Sequence, residues 1–341
     1  MLIRVRGGSA AKVFMMRGPV KHVLTPLERN AGRASRRAFL RGLGLGATWL
    51  AARPLRLLGA EAATRAGLLT KPIPSTGERL PALGMGSWIT FDVPAVGGLR
   101  DARVEVLRRF FDAGGALVDS SPMYGRSEEV IGHCLRRLPN DRGLFAATKV
   151  WTPLAWHGRR QVEASEELWG VERFDLLQVH NLLSWEAHLE TLQELKAAGR
   201  VRYLGVTTSH GRRHEEMARV IANQPIDFVQ LTYNLLDREA EARLLPLAAE
   251  RGLAVIVNRP FRRGALIDAF ARRPLPPWAA EIDCRSWPQF LLKFVVSHPA
   301  VTCAIPATSN PDHMSENMAA ARGSLPDSAM RRRMIEHVAG L

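Results

Sequence analysis

The chain has 341 residues, 46% hydrophobic and 23% charged, a balance that suits a globular protein with one large core and excludes a disordered or fibrous chain. Its formal net charge of +14 first suggests a polyanionic partner, but residues 1–70 hold 13 Lys and Arg against 2 Asp and Glu, which leaves 34 against 31 for the rest. The body is close to neutral, so no nucleic-acid surface is expected on it. The three cysteines, Cys134, Cys284 and Cys303, are too few and scattered for a disulfide framework and lack the paired spacing of a zinc site, so no metal is expected and each reads as a small buried hydrophobe.

Residues 1–66 read as a leader. Arg36 and Arg37 follow Ser35 and precede Phe39 and Leu40; an uncharged stretch rich in Gly, Leu and Ala then runs from Gly42 to Ala52, and Ala60-Glu61-Ala62 lies beyond it as a small-residue cleavage site. The segment resembles a twin-arginine (Tat) signal, which implies the Tat export machinery as a partner and a periplasmic or exported location, cytoplasmic if the signal is inefficient. A basic tail without that role is the alternative. The uncharged stretch is far short of the roughly 20 residues that span a bilayer, so no permanent membrane span is expected. Its Gly-Leu-Gly-Leu-Gly run mimics a nucleotide-binding fingerprint, but no strand precedes it and the match is rejected.

Residues 67–341 read as one domain. The stretch "LLTKPIPSTGERLPALG" has the Ser-Thr-Gly turn of a small hairpin, placed to cap one end of the domain. Eight short apolar runs come next: "PALGMG" from 81, "ALVDS" from 116, "LFAATKV" from 144, "DLLQVH" from 175, "RYLGVTT" from 202, "DFVQLTY" from 227, "LAVIVN" from 253 and "VTCAIP" from 301. Their spacing fits one strand-plus-helix unit each, with an inserted loop in the longer last interval. Helical patterns lie between them: Val104, Leu107 and Phe111 share a face, as do Val130, Cys134 and Leu138, and Trp185, Leu189, Leu192 and Leu195. Gly114-Gly115 and Gly199 supply left-handed helix ends. The expectation is an α/β fold, a (β/α)8 TIM barrel with an N-terminal β-hairpin cap. An open doubly wound sheet competes, but "LGMGSW" offers only Gly84 and Gly86 and no immediate helix where its glycine fingerprint would stand.

In such a barrel the C-terminal ends of all strands open on one face, so residues distant in sequence converge there. Asp119 ends the second run, Lys149 the third and His180 the fourth, while Tyr124 follows Asp119 on a loop long enough to fold back over the mouth. Together they form an acid–base device. An ammonium is expected to lower a phenol's pKa, a carboxylate to hold the ammonium, and an imidazole to orient the reacting oxygen. Taken singly, each has a bland reading as a solvated charge, turn former or rim residue. No Ser or Cys stands beside a base as a nucleophile, so the missing reactant is a hydride source.

Over roughly residues 68–325 the chain resembles the aldo/keto reductase family, through "LVDSSPMYGRSEEVIG", "FAATKVW", "FDLLQVHN", "VRYLGVTTS", "FVQLTYNLLDREAE" and "IPATSNPDHMSEN" in the family's order. The resemblance implies an NAD(P)H-dependent reductase of aldehydes or ketones with Tyr124 as general acid, Asp119 and Lys149 tuning it and His180 orienting the carbonyl. It further implies that Thr207, Thr208 and Gln230 hold the carboxamide and that Tyr233 stacks on the nicotinamide. Arg262 and Arg263 would meet the pyrophosphate. Thr308, Ser309 and Asn310, His313, and the pair Glu316 and Asn317 would hold the adenosine end, with Asn310 as a helix cap and Pro311 in the first turn. NADPH is the expected cofactor and NADH the alternative, because Ala307 and His313 stand where a Lys and an Arg clamp a 2′-phosphate in NADPH-selective members. Trp88, Trp151 and Trp287 are expected as apolar walls for a small-molecule carbonyl substrate. The competing function is a nucleotide-binding redox sensor or regulatory barrel with little turnover.

Overall fold

The computed structural model describes residues 67–139 and 143–341; the leader and the twin-arginine signal read in residues 1–66 lie outside them. Strands β1 (Thr70–Pro72) and β2 (Arg79–Pro81) pair antiparallel across the expected turn, where Gly77 takes φ +76°. Eight parallel strands come after the hairpin: β3 (Met85–Gly86), β4 (Leu117–Asp119), β5 (Phe145–Val150), β6 (Phe174–Val179), β7 (Val201–Thr207), β8 (Phe228–Thr232), β9 (Ala254–Asn258) and β10 (Cys303–Ala304). Sequence neighbours are sheet neighbours from β3 to β10, and a parallel bridge from Leu83 to Ala304 closes the barrel.

Each strand is followed by a helix that covers it. These are α1 (Leu99–Asp112), α2 (Ser127–Leu135), α3 (Ala155–Trp169), α4 (Trp185–Ala197), α5 (His214–Asn223) and α6 (Leu244–Glu250), then α7 (Ala265–Phe270) and α8 (Trp287–Val296) before β10, and α9 (Pro311–Ala319) and α10 (Ser328–Ala339) after it. The long last interval thus holds an inserted helix, α7. Helix α4 shows why the pattern folds this way: Leu189, Leu192 and Leu195, on one face by 3.6-residue periodicity, are all buried, each contributing about 1.5–3 kcal/mol by transfer from water.

Alternation along the strands sorts the core into two clusters. Outward residues join the helices in a large shell, while Leu117, Phe145, Leu176, Tyr203, Phe228 and Ile256 point into the lumen and fill it. The hairpin plugs the lower end, since Ile73 and Leu80 belong to the lumen cluster and the Tyr203 hydroxyl donates to Glu78 at 2.6 Å. Going up each strand by twos, inward residues change from apolar to polar: Ala147 to Lys149, Leu176 to Gln178 and then His180, Phe228 to Gln230, Ile256 to Asn258. That switch marks the functional end.

Candidate active site

Asp119 and Lys149, each 1% exposed, sit at the ends of neighbouring strands, with Lys149 Nζ 2.5 Å from Asp119 Oδ2. The ammonium also donates to the Ser120 carbonyl at 2.7 Å. The other carboxylate oxygen accepts from two amides, Gln178 Nε2 at 3.1 Å and Gln230 Nε2 at 3.0 Å. Asp119 therefore stands on a fully hydrogen-bonded floor, which a buried carboxylate requires.

Above this floor the Tyr124 ring lies with its centroid 5.1 Å from Lys149 Nζ, close enough for the ammonium to act electrostatically on the phenol. His180 meets the Tyr124 ring edge-on, with centroids 5.5 Å apart. Burial raises the Tyr124 pKa above the ordinary 10.0 and outweighs the opposing pull of Lys149. This corrects the expectation of a lowered value: desolvation of a phenolate exceeds what one shared ammonium returns. Burial works against the Lys149 ammonium, yet Asp119 and Tyr124 together carry its pKa upward. His180 is held well below 6.5, by burial first and by Lys149 second. At neutral pH the cluster is a neutral phenol, an ammonium and a neutral imidazole, a set able to give one proton to an oxygen placed between Tyr124 and His180.

A cavity of about 400 Å³ opens over these groups. Of the predicted residues, Asp119, Tyr124, His180, Thr207, Thr208, Gln230, Arg263 and Trp88 line it, and Lys149 lies in its floor. Trp88 packs 6.3 Å from Tyr124 and carries the Arg263 guanidinium 4.7 Å above its ring. Thr308 is buried, Asn310 caps α9 by accepting from Asp312 N at 2.8 Å, and Asn317 is buried. With the exposed Ser309 and His313 and the half-buried Glu316, they form a separate group around the start of α9, outside the cavity lining.

Three placements and one pairing correct the sequence reading. Tyr233 is fully buried outside the barrel wall, stacked on Phe294, with its hydroxyl accepting from Arg331 Nη2 at 2.5 Å and bonded to Glu241. It stands three residues after the inward Gln230, so strand alternation turns it away from the lumen. Trp287 opens α8, stacks on Phe270 at 4.6 Å and donates to the Arg273 carbonyl, anchoring the inserted segment rather than walling the pocket. Trp151 is 43% exposed beyond β5 and does not border the cavity. Arg262 turns away from the mouth and forks onto Asp237, with Nε to Oδ2 at 2.8 Å.

Sequence reasoning missed several lining residues. Asn258 ends β9 and Lys149 lies one residue short of the end of β5, so a comparable strand-end signal was available; the Asn258 amide donates to the Thr208 carbonyl at 2.8 Å. Asn181, at φ +54°, follows His180 into the cavity, and its backbone N–H bonds Thr207 Oγ1 at 3.0 Å. Arg259 borders the cavity with a buried, unpartnered Nε and donates to His210 Nε2 at 2.6 Å, which no local pattern announces. Among the described residues no cluster of metal-ligating side chains occurs, and no helix is long and apolar enough to cross a membrane.

A closed (β/α)8 barrel that gathers a phenol, an ammonium–carboxylate pair and an imidazole at its mouth defines a TIM-barrel enzyme with the groups to handle a proton at an oxygen. The model of the aldo/keto reductase family matches residues 82–334, and the chain belongs to that family. It is 30% identical over 211 residues to Aldo-keto reductase YhdN of Bacillus subtilis (strain 168), covering 57% of this chain and 62% of that protein, so the match spans less than two-thirds of YhdN. The NADH-specific methylglyoxal reductase of Escherichia coli (strain K12) is 23% identical over 330 residues, 78% of this chain and 98% of that one. Among solved structures, an aldo/keto reductase from Klebsiella pneumoniae in complex with NADP and acetate aligns with a TM-score of 0.64 at 26% identity, covering 76% of this chain and 92% of that one.

Proposed function

We propose that this barrel reduces an aldehyde or ketone to the alcohol, with a nicotinamide nucleotide lying across the strand ends. The observation that carries the reading is the Tyr124 phenol set against the buried Lys149–Asp119 pair, with His180 edge-on beside it. The residues present fit the cofactor. Gln230 spends its Nε2 on Asp119 and keeps Oε1 for a carboxamide, with Asn181, Thr207 and Thr208 around it. The orphaned Nε of Arg259, with Arg263 nearby, suits a diphosphate better than the Asp237-bound Arg262 does. The group around the start of α9 remains the place for the adenosine end. NADP in the Klebsiella structure and NADH specificity in the Escherichia coli relative make either nucleotide a candidate, with NADPH first.

When bound, the reduced nucleotide supplies a hydride. Tyr124 donates its proton to the substrate oxygen, Lys149 steadies the phenolate left behind, Asp119 holds Lys149, and His180 fixes the oxygen from the other side. Trp88 offers the substrate an apolar wall. A sensor without turnover would have no use for so complete a proton-delivery set.

The test is to purify the chain, titrate NADPH and NADH by tryptophan fluorescence, and assay an aldehyde panel with the wild type and Tyr124→Phe. Nucleotide binding should persist in the variant while reduction falls about a hundredfold or more. Equal turnover would end the assignment, and binding without turnover in the wild type would transfer the case to the sensor reading. The Arg36-Arg37 leader supports export of the folded chain as a further part of this reading. Cell fractionation of an Arg36→Lys, Arg37→Lys variant should show the exported fraction lost; an unchanged fraction would discard it.

A further inference from the structure

His180 presents two ring nitrogens, and its role as a donor to the substrate oxygen depends on which one carries the proton. Nδ1 lies 2.8 Å from the hydroxyl of Ser121, a fully buried residue on the β4–α2 loop. Nε2 makes no hydrogen bond among the described residues, and the ring borders the cavity. The direction of the Ser121 bond therefore sets what the cavity meets.

Ser121 Oγ already accepts the backbone N–H of Met123 at 3.2 Å. A serine hydroxyl has one proton and two lone pairs. Were Nδ1 protonated, it would take the second lone pair and strand the hydroxyl proton in a buried place with no acceptor, an arrangement proteins avoid. Were Nδ1 bare, Ser121 would donate to it, every group would be satisfied, and the imidazole proton would sit on Nε2.

We propose that Ser121 is a positioning residue whose hydroxyl donates to His180 Nδ1, locking the ring's rotation and the tautomer that points Nε2–H at the substrate oxygen. The proposal rests on the reductase reading for its consequence, but not for its geometry. The neutral ring is also what the site's environment favours, since burial and Lys149 both oppose a second proton. Ser121 thus does for His180 what Asp119 does for Lys149: one side-chain bond behind the working group settles how it faces the substrate.

The test labels the histidines with ¹⁵N and assigns His180 by its loss in His180→Asn. In the wild type at neutral pH, Nδ1 should appear unprotonated and Nε2 protonated. Ser121→Ala should broaden or mix the two signals and lower kcat about tenfold, less than removal of a proton donor does, with nucleotide affinity unchanged. Ser121→Thr, which keeps the hydroxyl, should restore both. A proton on Nδ1 in the wild type, or full kcat in Ser121→Ala with an unaltered spectrum, would overturn the proposal. Absence of turnover in the wild type counts against the reductase reading alone, and failure of Ser121→Ala to fold removes only the kinetic arm; in both cases the wild-type spectrum decides.

Discussion

Tyr124 keeps its proton because burial, the larger influence, disfavours phenolate more than Lys149 stabilises it, and His180 stays neutral because burial and the same ammonium both oppose its charge. The two shifts run in opposite directions and open a wide plateau between them. Reduction needs the phenol protonated, a form present below its raised pKa and lost only as pH climbs past it. It also needs His180 neutral, a form lost only as pH falls through a value well under 6.5. The kcat/KM for carbonyl reduction should therefore be flat over roughly pH 7 to 9, with its loss on the far alkaline side. Alcohol oxidation by the same site needs phenolate as base and should rise with pH across that range. Because phenol and ammonium are coupled, the alkaline limb reports the pair rather than Tyr124 alone. An acid limb near 6.5 in the reduction profile would show that His180 titrates normally and would contradict the neutral imidazole.

The elements work through the parity of their strands, and β7 shows how tightly that is built. Gly205 points inward beside Gln178, and a Cβ there would stand 2.8 Å from the Phe228 carbonyl and 3.2 Å from Gln178 Cγ. Its missing side chain leaves space for the amide that supports Asp119. Gly205→Ala should cost about 1–3 kcal/mol by overpacking, measured as a lower urea midpoint, and should also lower kcat through the displaced Gln178; an unchanged midpoint would show that β7 yields without strain. The same parity explains what could be read in advance. Asp119, Lys149 and His180 were legible because each ends an apolar run at an inward position, and Asn258 carries that signal too. The odd step from Gln230 turns Tyr233 out of the lumen whatever motif it matches, and a tryptophan that opens a helix, as Trp287 does, gives no sign of which neighbour it stacks on. Arg259 and His210 meet across two loops, a contact set by tertiary geometry and invisible to any local pattern.

At the scale of the whole barrel, the two ends divide chemistry from stability. The C-terminal end holds the groups proposed to deliver the proton, while the underside is closed by the hairpin, where Lys71 Nζ donates to the carbonyls of His298 and Val301 at 2.8 and 2.7 Å. Near it, Arg331 binds Tyr233 and Glu241, and His298 packs edge-on against Tyr233. Two bases in this crowded corner resist protonation. Burial, then Arg331, lowers Lys71 from 10.5 to about 8, and burial, then Arg331, lowers His298 from 6.5 to about 4 despite the opposing Glu241. For His298 the unfolded chain takes a proton between those two values that the native state refuses, so stability falls as pH drops from 6.5 toward 4. For Lys71 the same sign applies in a higher window, and stability rises as pH goes from about 8 to 10.5. Urea unfolding midpoints followed down the acid range should fall more steeply for the wild type than for His298→Gln, which keeps a polar side chain but has nothing to titrate. Parallel slopes would mean that His298 reaches water in the native state. A steeper wild-type slope with an unshifted kinetic profile in both proteins would show that the hairpin end loses stability to acid independently of the proton delivery proposed for the opposite mouth.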